Sequence, residues 1–73
     1  MKIQSKIDYA VNTYYEITAI DKNGDQIIAT LTQMWDDNFA TCEYDLTIVE
    51  SKYSLTNNEV EELKELAIEY KKS

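Results

Sequence analysis

The 73-residue chain contains no histidine, no arginine and no proline, and its only cysteine is Cys42. One cysteine cannot close a disulfide within the chain, and without histidine the soft ligands of a structural zinc site are missing. A serine or cysteine nucleophile would also lack its usual activating base. The sequence therefore predicts a protein that is not an enzyme and that folds on one hydrophobic core, with no metal and no cofactor.

Long apolar runs are missing as well. None approaches the roughly 20 residues of a membrane span, and the first eleven residues, interrupted by Lys2, Lys6 and Asp8, do not resemble a signal peptide. Hydrophobic residues still make up 44% of the chain, which is enough for a globular fold. We therefore expect one domain over residues 1–73, and the lone cysteine fits the reducing cytoplasm.

Positive charge is scarce. The net charge is −7, and nearly all of it belongs to residues 36–73. Nucleic acids and anionic membranes are held by Lys and Arg, so we expect neither to be a direct partner. Two interpretations of the acidity remain: it keeps a small domain soluble, or it forms a surface for a protein partner with a basic surface.

The C-terminal segment has the pattern of an amphipathic helix. Thr56 and Glu59 have the spacing of a capping box, in which each side chain bonds the other's backbone N–H. Apolar residues then recur at helical spacing. These residues are Val60, Leu63, Leu66, Ala67 and Tyr70. The pattern predicts a helix over residues 57–71.

Three stretches before this helix have strand patterns: residues 13–20, 26–34 and 39–49. The last alternates most clearly, with Tyr44 and Leu46 on one face and Glu43 and Asp45 on the other. Turn residues separate the stretches, at 21–24 and at 36–38. Their order predicts an antiparallel meander.

The N-terminal segment fits two structures. Ile3, Ile7 and Tyr14 belong to a helical stripe, whereas Ile3, Ile7 and Tyr9 also fit a strand. The predicted fold is therefore α+β: a three-stranded or four-stranded antiparallel β-meander packed against a C-terminal helix, with the N-terminal segment a short helix or a strand. If the N-terminal segment is a helix, the order of helix, three strands and helix is also that of double-stranded-RNA-binding domains. Those domains bind phosphates with Lys. Because this C-terminal helix begins with Glu residues, we do not expect RNA binding.

The turn at residues 21–25 resembles the first five positions of an EF-hand calcium loop, with oxygen ligands at Asp21, Asn23 and Asp25. The resemblance then ends. Position six should be Gly and is Gln26, and position twelve should be Glu and is Thr32. Because the flanking segments have strand patterns, we interpret the stretch as a hairpin turn.

Two acidic groups are candidate partner-binding surfaces. The first lies on the open side of the predicted sheet, where aromatic and acidic side chains together favour a recognition surface over a simple solvent face. Its members on the sheet are Tyr14, Glu16, Glu43 and Asp45, and the turn residues Asp36 and Asp37 lie at the sheet edge. The second is a row on the predicted helix, which also fits a solvated helix face. It consists of Glu61, Glu65 and Glu69.

The sequence thus favours a small acidic protein-binding module: a stoichiometric inhibitor that imitates nucleic acid and docks on a basic, nucleic-acid-binding surface. In size, charge and element order it resembles phage-encoded inhibitors of restriction and CRISPR systems, although no motif carries that likeness. The alternative is a structural or regulatory interaction domain, or a homo-oligomer such as a homodimer, that associates through its open sheet face. Salt separates the two, because a charged interface weakens as ionic strength rises.

Overall fold

The computed structural model describes residues 1–10, 13–35 and 42–70. These ranges form four strands and one helix, in the order β1 (Lys2–Ala10), β2 (Tyr14–Ile20), β3 (Gln26–Trp35), β4 (Cys42–Ser51) and α1 (Asn57–Glu69). The strands make one antiparallel sheet in sequence order, and α1 lies across one face and contacts both edge strands. The predicted α+β class is confirmed, and the N-terminal segment is the fourth strand rather than a helix.

The hydrophobic core lies between α1 and the sheet. Across the two central strands large and small residues are paired, because Ile17 stands opposite Ala29 and Ala19 stands opposite Ile27. All four are fully buried or nearly so. The remaining buried side chains come from both edge strands, from β3 and from α1. They are Ile3, Leu31, Leu46, Leu63 and Ala67.

The helix begins with the predicted capping box. The Glu59 backbone N–H donates to Thr56 Oγ1 at 3.2 Å, and the Thr56 N–H donates to Glu59 Oε1 at 3.0 Å. The hydrogen bond from the Thr56 N–H is the main reason that the pKa of Glu59 lies below its usual 4.5. A carboxyl group whose pKa is lowered by folding stabilises the fold above its unfolded pKa, and this contribution is lost as the pH falls through the folded pKa.

Replacing Thr56 with alanine is expected to lower the free energy of unfolding by about 1 kcal/mol, because the Glu59 N–H loses its acceptor. Urea denaturation followed by circular dichroism measures the change. Ser54→Ala is the matched control, since Ser54 is exposed and precedes the helix. Equal effects of the two substitutions would show that the cap contributes nothing in solution.

The C-terminal end of α1 is held by β1. Lys6 Nζ donates to the carbonyl oxygen of Ala67 at 2.9 Å and lies 4.6 Å from the centre of the Tyr15 ring. Carbonyls in the last turn of a helix lack helical partners, and a cation is favourable there. Burial lowers the pKa of Lys6, and the nearby Asp8 carboxylate partly opposes this shift. The helix itself ends at Glu69, earlier than the predicted residue 71.

The turn between β2 and β3 is the predicted hairpin turn. Asp21 Oδ1 accepts hydrogen bonds from the backbone N–H groups of Asn23 at 2.8 Å and Asp25 at 3.0 Å. Gly24 has a φ of +85°, a conformation that side-chain-bearing residues rarely adopt. The carboxylate that would come first in a calcium loop thus organises the turn. In the described ranges no group of three or more Cys, Asp or Glu residues is placed to hold a metal ion.

The helical part of the described chain is short. The described ranges contain one helix, α1. At 13 residues it is neither long enough nor apolar enough to cross a membrane.

Candidate functional site

The face of the sheet turned away from α1, called here the open face, is covered by no element in the described part of the chain. It consists of the residues that alternate with the buried ones. On β1 and β2 they are Lys2, Ser5, Ile7, Tyr14, Glu16, Thr18 and Ile20. On β3 and β4 they are Gln26, Ile28, Thr30, Thr32, Met34, Glu43, Asp45, Thr47 and Glu50.

The open face changes in character from one edge to the other. Strand register places Tyr14, Thr32 and Asp45 side by side on β2, β3 and β4. Neighbouring strands lie about 4.8 Å apart, so roughly 10 Å separate Tyr14 from Asp45. Along this row the face passes from an aromatic side chain on β2 through a threonine on β3 to a carboxylate on β4.

The structure brings together most of the candidates predicted for the sheet. Glu43 and Asp45 are exposed on β4, as the alternation predicted, while Tyr14 and the half-buried Glu16 lie on the same face two strands away. Glu50, opposite Ile28, adds a further exposed carboxylate. The other two candidates of this group, Asp36 and Asp37, lie outside the described residues, so their placement on the sheet edge stays a prediction.

The helix row is a separate surface. Glu61, Glu65 and Glu69 are all exposed on α1, in the other layer of the domain from the open face. None of the large apolar side chains exposed in the described ranges belongs to α1. The helix row therefore offers charge alone, and the two acidic groups do not merge into one surface.

Three apolar residues on or beside the open face were not among the predicted candidates. Ile7 is 44% exposed, Met34 is 46% exposed and Tyr9 is 60% exposed. Met34 continues the alternation of Thr30 and Thr32, so the strand pattern was sufficient to place it. The positions of Ile7 and Tyr9 follow from the pairing of β1 with β2, which the ambiguous N-terminal sequence does not reveal.

The open face is strongly negative. Its described charged residues are four carboxylates and one amine, that of Lys2. Within the described ranges, the side chains of Glu16 and Asp45 form no hydrogen bond or ion pair. An ion pair from Lys52 Nζ to Asp25 Oδ1 at 3.8 Å involves neither of them. The Glu16 and Asp45 carboxylates are therefore available to an external cation.

No family model, curated protein or solved structure matches this chain.

Proposed function

We propose that this protein is a non-enzymatic binding module that docks its open face on the basic surface of a protein partner and inhibits that partner stoichiometrically. The observation that carries the proposal is the combination, on one uncovered face, of the Glu16 and Asp45 carboxylates, which have no side-chain partner in the described ranges, with exposed Ile7, Tyr14 and Met34. Interface cores are enriched in aromatic residues and methionine and are surrounded by a polar rim. The helix row has negative charge, but in the described ranges α1 has no large exposed apolar side chain.

The arrangement of the carboxylates supports a partner that normally binds nucleic acid. Glu43 and Asp45 lie two residues apart on β4, which separates their Cα atoms by about 6.7 Å. Lys and Arg side chains that line a phosphate-binding groove would meet carboxylates in place of phosphates. The basic channel of a restriction or CRISPR effector is such a groove. Occupation of the groove by this chain would exclude the nucleic acid.

Charge disfavours a second copy as the occupant of the open face. Two copies placed face to face would bring eight carboxylates and two lysines of the described ranges into one interface. Like charges brought together at an interface cost several kcal/mol. A basic partner removes this repulsion and also speeds association through electrostatic steering.

The test compares two charge-reversal variants with the same net charge of −3, given that the parent has −7. One variant carries Glu43→Lys and Asp45→Lys on the open face, and the other carries Glu61→Lys and Glu65→Lys on α1. Each is used as bait in host lysate, and the captured protein is then purified and titrated with each variant. We expect the open-face variant to bind about tenfold or more weakly, with the helix variant close to the parent.

Four measurements decide among the remaining interpretations: competition by DNA, high salt, the helix variant and sedimentation. Added DNA and high salt should each release the partner, because the interface is electrostatic. Loss of binding in the helix variant alone would move the site to Glu61 and Glu65. A complex that survives high salt and excess DNA would indicate an interaction domain without mimicry. Sedimentation that finds only a homo-oligomer, with no captured partner, would contradict the inhibitor proposal.

A further inference from the structure

Two exposed tyrosine rings meet at one corner of the open face. Tyr9 falls at a register shift between Asp8 and Ala10, where it stands outside the pairing of β1 with β2. Shifts of this kind re-aim side chains. The Tyr9 ring contacts the Tyr14 ring edge-on, with 6.2 Å between the ring centres and 63° between their planes. The side chains are 60% and 39% exposed, so parts of both rings face solvent.

A carboxylate without a partner in the described ranges lies beside this ring pair. Glu16 follows Tyr14 by two residues on the same face of β2, at about 6.7 Å along the strand, and it stands opposite Ile7 on β1. Strand register therefore makes two aromatic rings, one carboxylate and one apolar side chain neighbours at one position on the open face.

The chemistry of this position suits a cation. The face of an aromatic ring is negative and attracts Lys or Arg within about 6 Å of its centre. The same molecule already shows two such contacts, from Lys6 to Tyr15 at 4.6 Å and from Lys52 to Tyr53 at 5.5 Å. In the described part of the chain, no lysine lies over Tyr9 or Tyr14. Their rings are thus open to a cation from outside.

A guanidinium group fits the position better than an amine. It is planar, so it stacks on a ring while its N–H groups bind a neighbouring carboxylate in bidentate fashion, which the point charge of lysine cannot do. The protein contains no arginine of its own. A second copy of the chain therefore cannot supply the group, and it must come from a different molecule.

We propose that Tyr9, Tyr14 and Glu16 form an anchoring site for the guanidinium group of an arginine side chain on the partner. The identity of the donor as a protein partner rests on the proposed function, whereas the recognition of guanidinium rests on these three side chains. Arginine is also among the residues that dominate binding energy at interfaces. The acidic residues of β4, roughly 10 Å away across the face, then meet further cations of the same partner.

The experiment titrates the full-length protein with N-acetyl-arginine methylamide and follows the ring signals of Tyr9 and Tyr14 by NMR. The lysine and citrulline analogues are the comparison ligands, and citrulline keeps the planar shape of arginine without its charge. We expect saturable shifts with arginine, weaker binding of lysine, and about tenfold weaker binding of citrulline, because citrulline loses both the ring contact and the ion pair.

Three variants locate the site. Tyr14→Leu should weaken binding of the arginine amide about two- to fivefold, and Glu16→Gln should weaken it by up to about fivefold. Tyr53→Leu is the matched control, since Tyr53 is 55% exposed but already lies beneath Lys52, and it should change nothing. Amide spectra that match the parent establish that each variant is folded.

Shifts that do not saturate, equal binding of arginine and citrulline, or unchanged binding in both Tyr14→Leu and Glu16→Gln would overturn the anchoring site. Such a result would leave the proposed function standing if capture still depends on Glu43 and Asp45. Conversely, the arginine amide could bind selectively while the variant with Glu43→Lys and Asp45→Lys still captures the partner as well as the parent does. That result would support the anchoring site and contradict the proposed function. The two failures are therefore distinguishable.

Discussion

Replacing Leu63 with alanine is expected to lower the free energy of unfolding by about 2–5 kcal/mol. Leu63 is fully buried and lies on the face of α1 that covers the sheet. Alanine leaves a cavity there, since the surrounding side chains can collapse only partly. A domain of this length has a total stability of about 4–11 kcal/mol, so the variant loses a large share of it. Urea denaturation followed by circular dichroism measures the loss.

The control for this prediction is Glu61→Ala, an exposed position on the same helix. It should change the stability by no more than about 0.5 kcal/mol, because no buried contact is lost. Leu63→Met keeps the volume and should cost less than about 1.5 kcal/mol. If Leu63→Ala proves as mild as Glu61→Ala, α1 does not cover the core in solution.

Exchanging the residues of one cross-strand pair should cost much less than the two single changes suggest. Ile17→Ala alone opens a cavity and is expected to cost about 2–5 kcal/mol. Ala29→Ile alone overpacks the core and should cost about 1–3 kcal/mol. Because the two residues stand directly opposite each other, the double variant exchanges the large and the small side chain and keeps the combined volume of the pair. Its loss of stability should fall below the sum by about 1 kcal/mol or more.

The matched control is the double variant Ala19→Ile with Leu46→Ala, whose residues belong to β2 and β4 and are not strand partners. Leu46 is aligned with Tyr15, four residues or about 13 Å along β2 from Ala19, so the separate effects should add within about 0.5 kcal/mol. A coupling in Ile17/Ala29 no larger than in this control would mean that volume is not matched pair by pair across the central strands.

Local signals were sufficient for the C-terminal half of the fold. The Thr56 capping box and the apolar stripe placed the helix start correctly, and the alternation around Leu46 placed the faces of β4. In β1, by contrast, two register shifts leave Gln4 and Tyr9 outside the pairing with β2. Each shift displaces the alternation of inward and outward side chains by one residue. The apolar residues of the N-terminal segment therefore fitted a helix and a strand equally well. Only pairing with β2, a non-local contact, decides for a strand.

The same distinction applies to the candidate site. Alternation alone put Glu43 and Asp45 on the outer face of their strand, and the structure confirms this placement. The choice between the sheet and the helix row depends on which face is covered and on where Ile7 and Tyr9 are exposed. Those facts arise from tertiary packing, which no short pattern encodes. For this reason the contact between Tyr9 and Tyr14 could not be predicted from the sequence.

The two edge strands also differ in how they resist pairing with other chains. On β1 two register shifts leave residues 5–8 as the longest regularly paired run, and Lys6 places a charge on the inner face. Irregular edges and inward charges both discourage aggregation. On β4 a single register shift, at Val49, leaves the longer run of residues 42–48 regularly paired, and the exposed charges in this run are those of Glu43 and Asp45. Salt screens the repulsion between exposed charges, but it does not change an irregular backbone. In concentrated salt, unwanted growth of the sheet would therefore begin at β4.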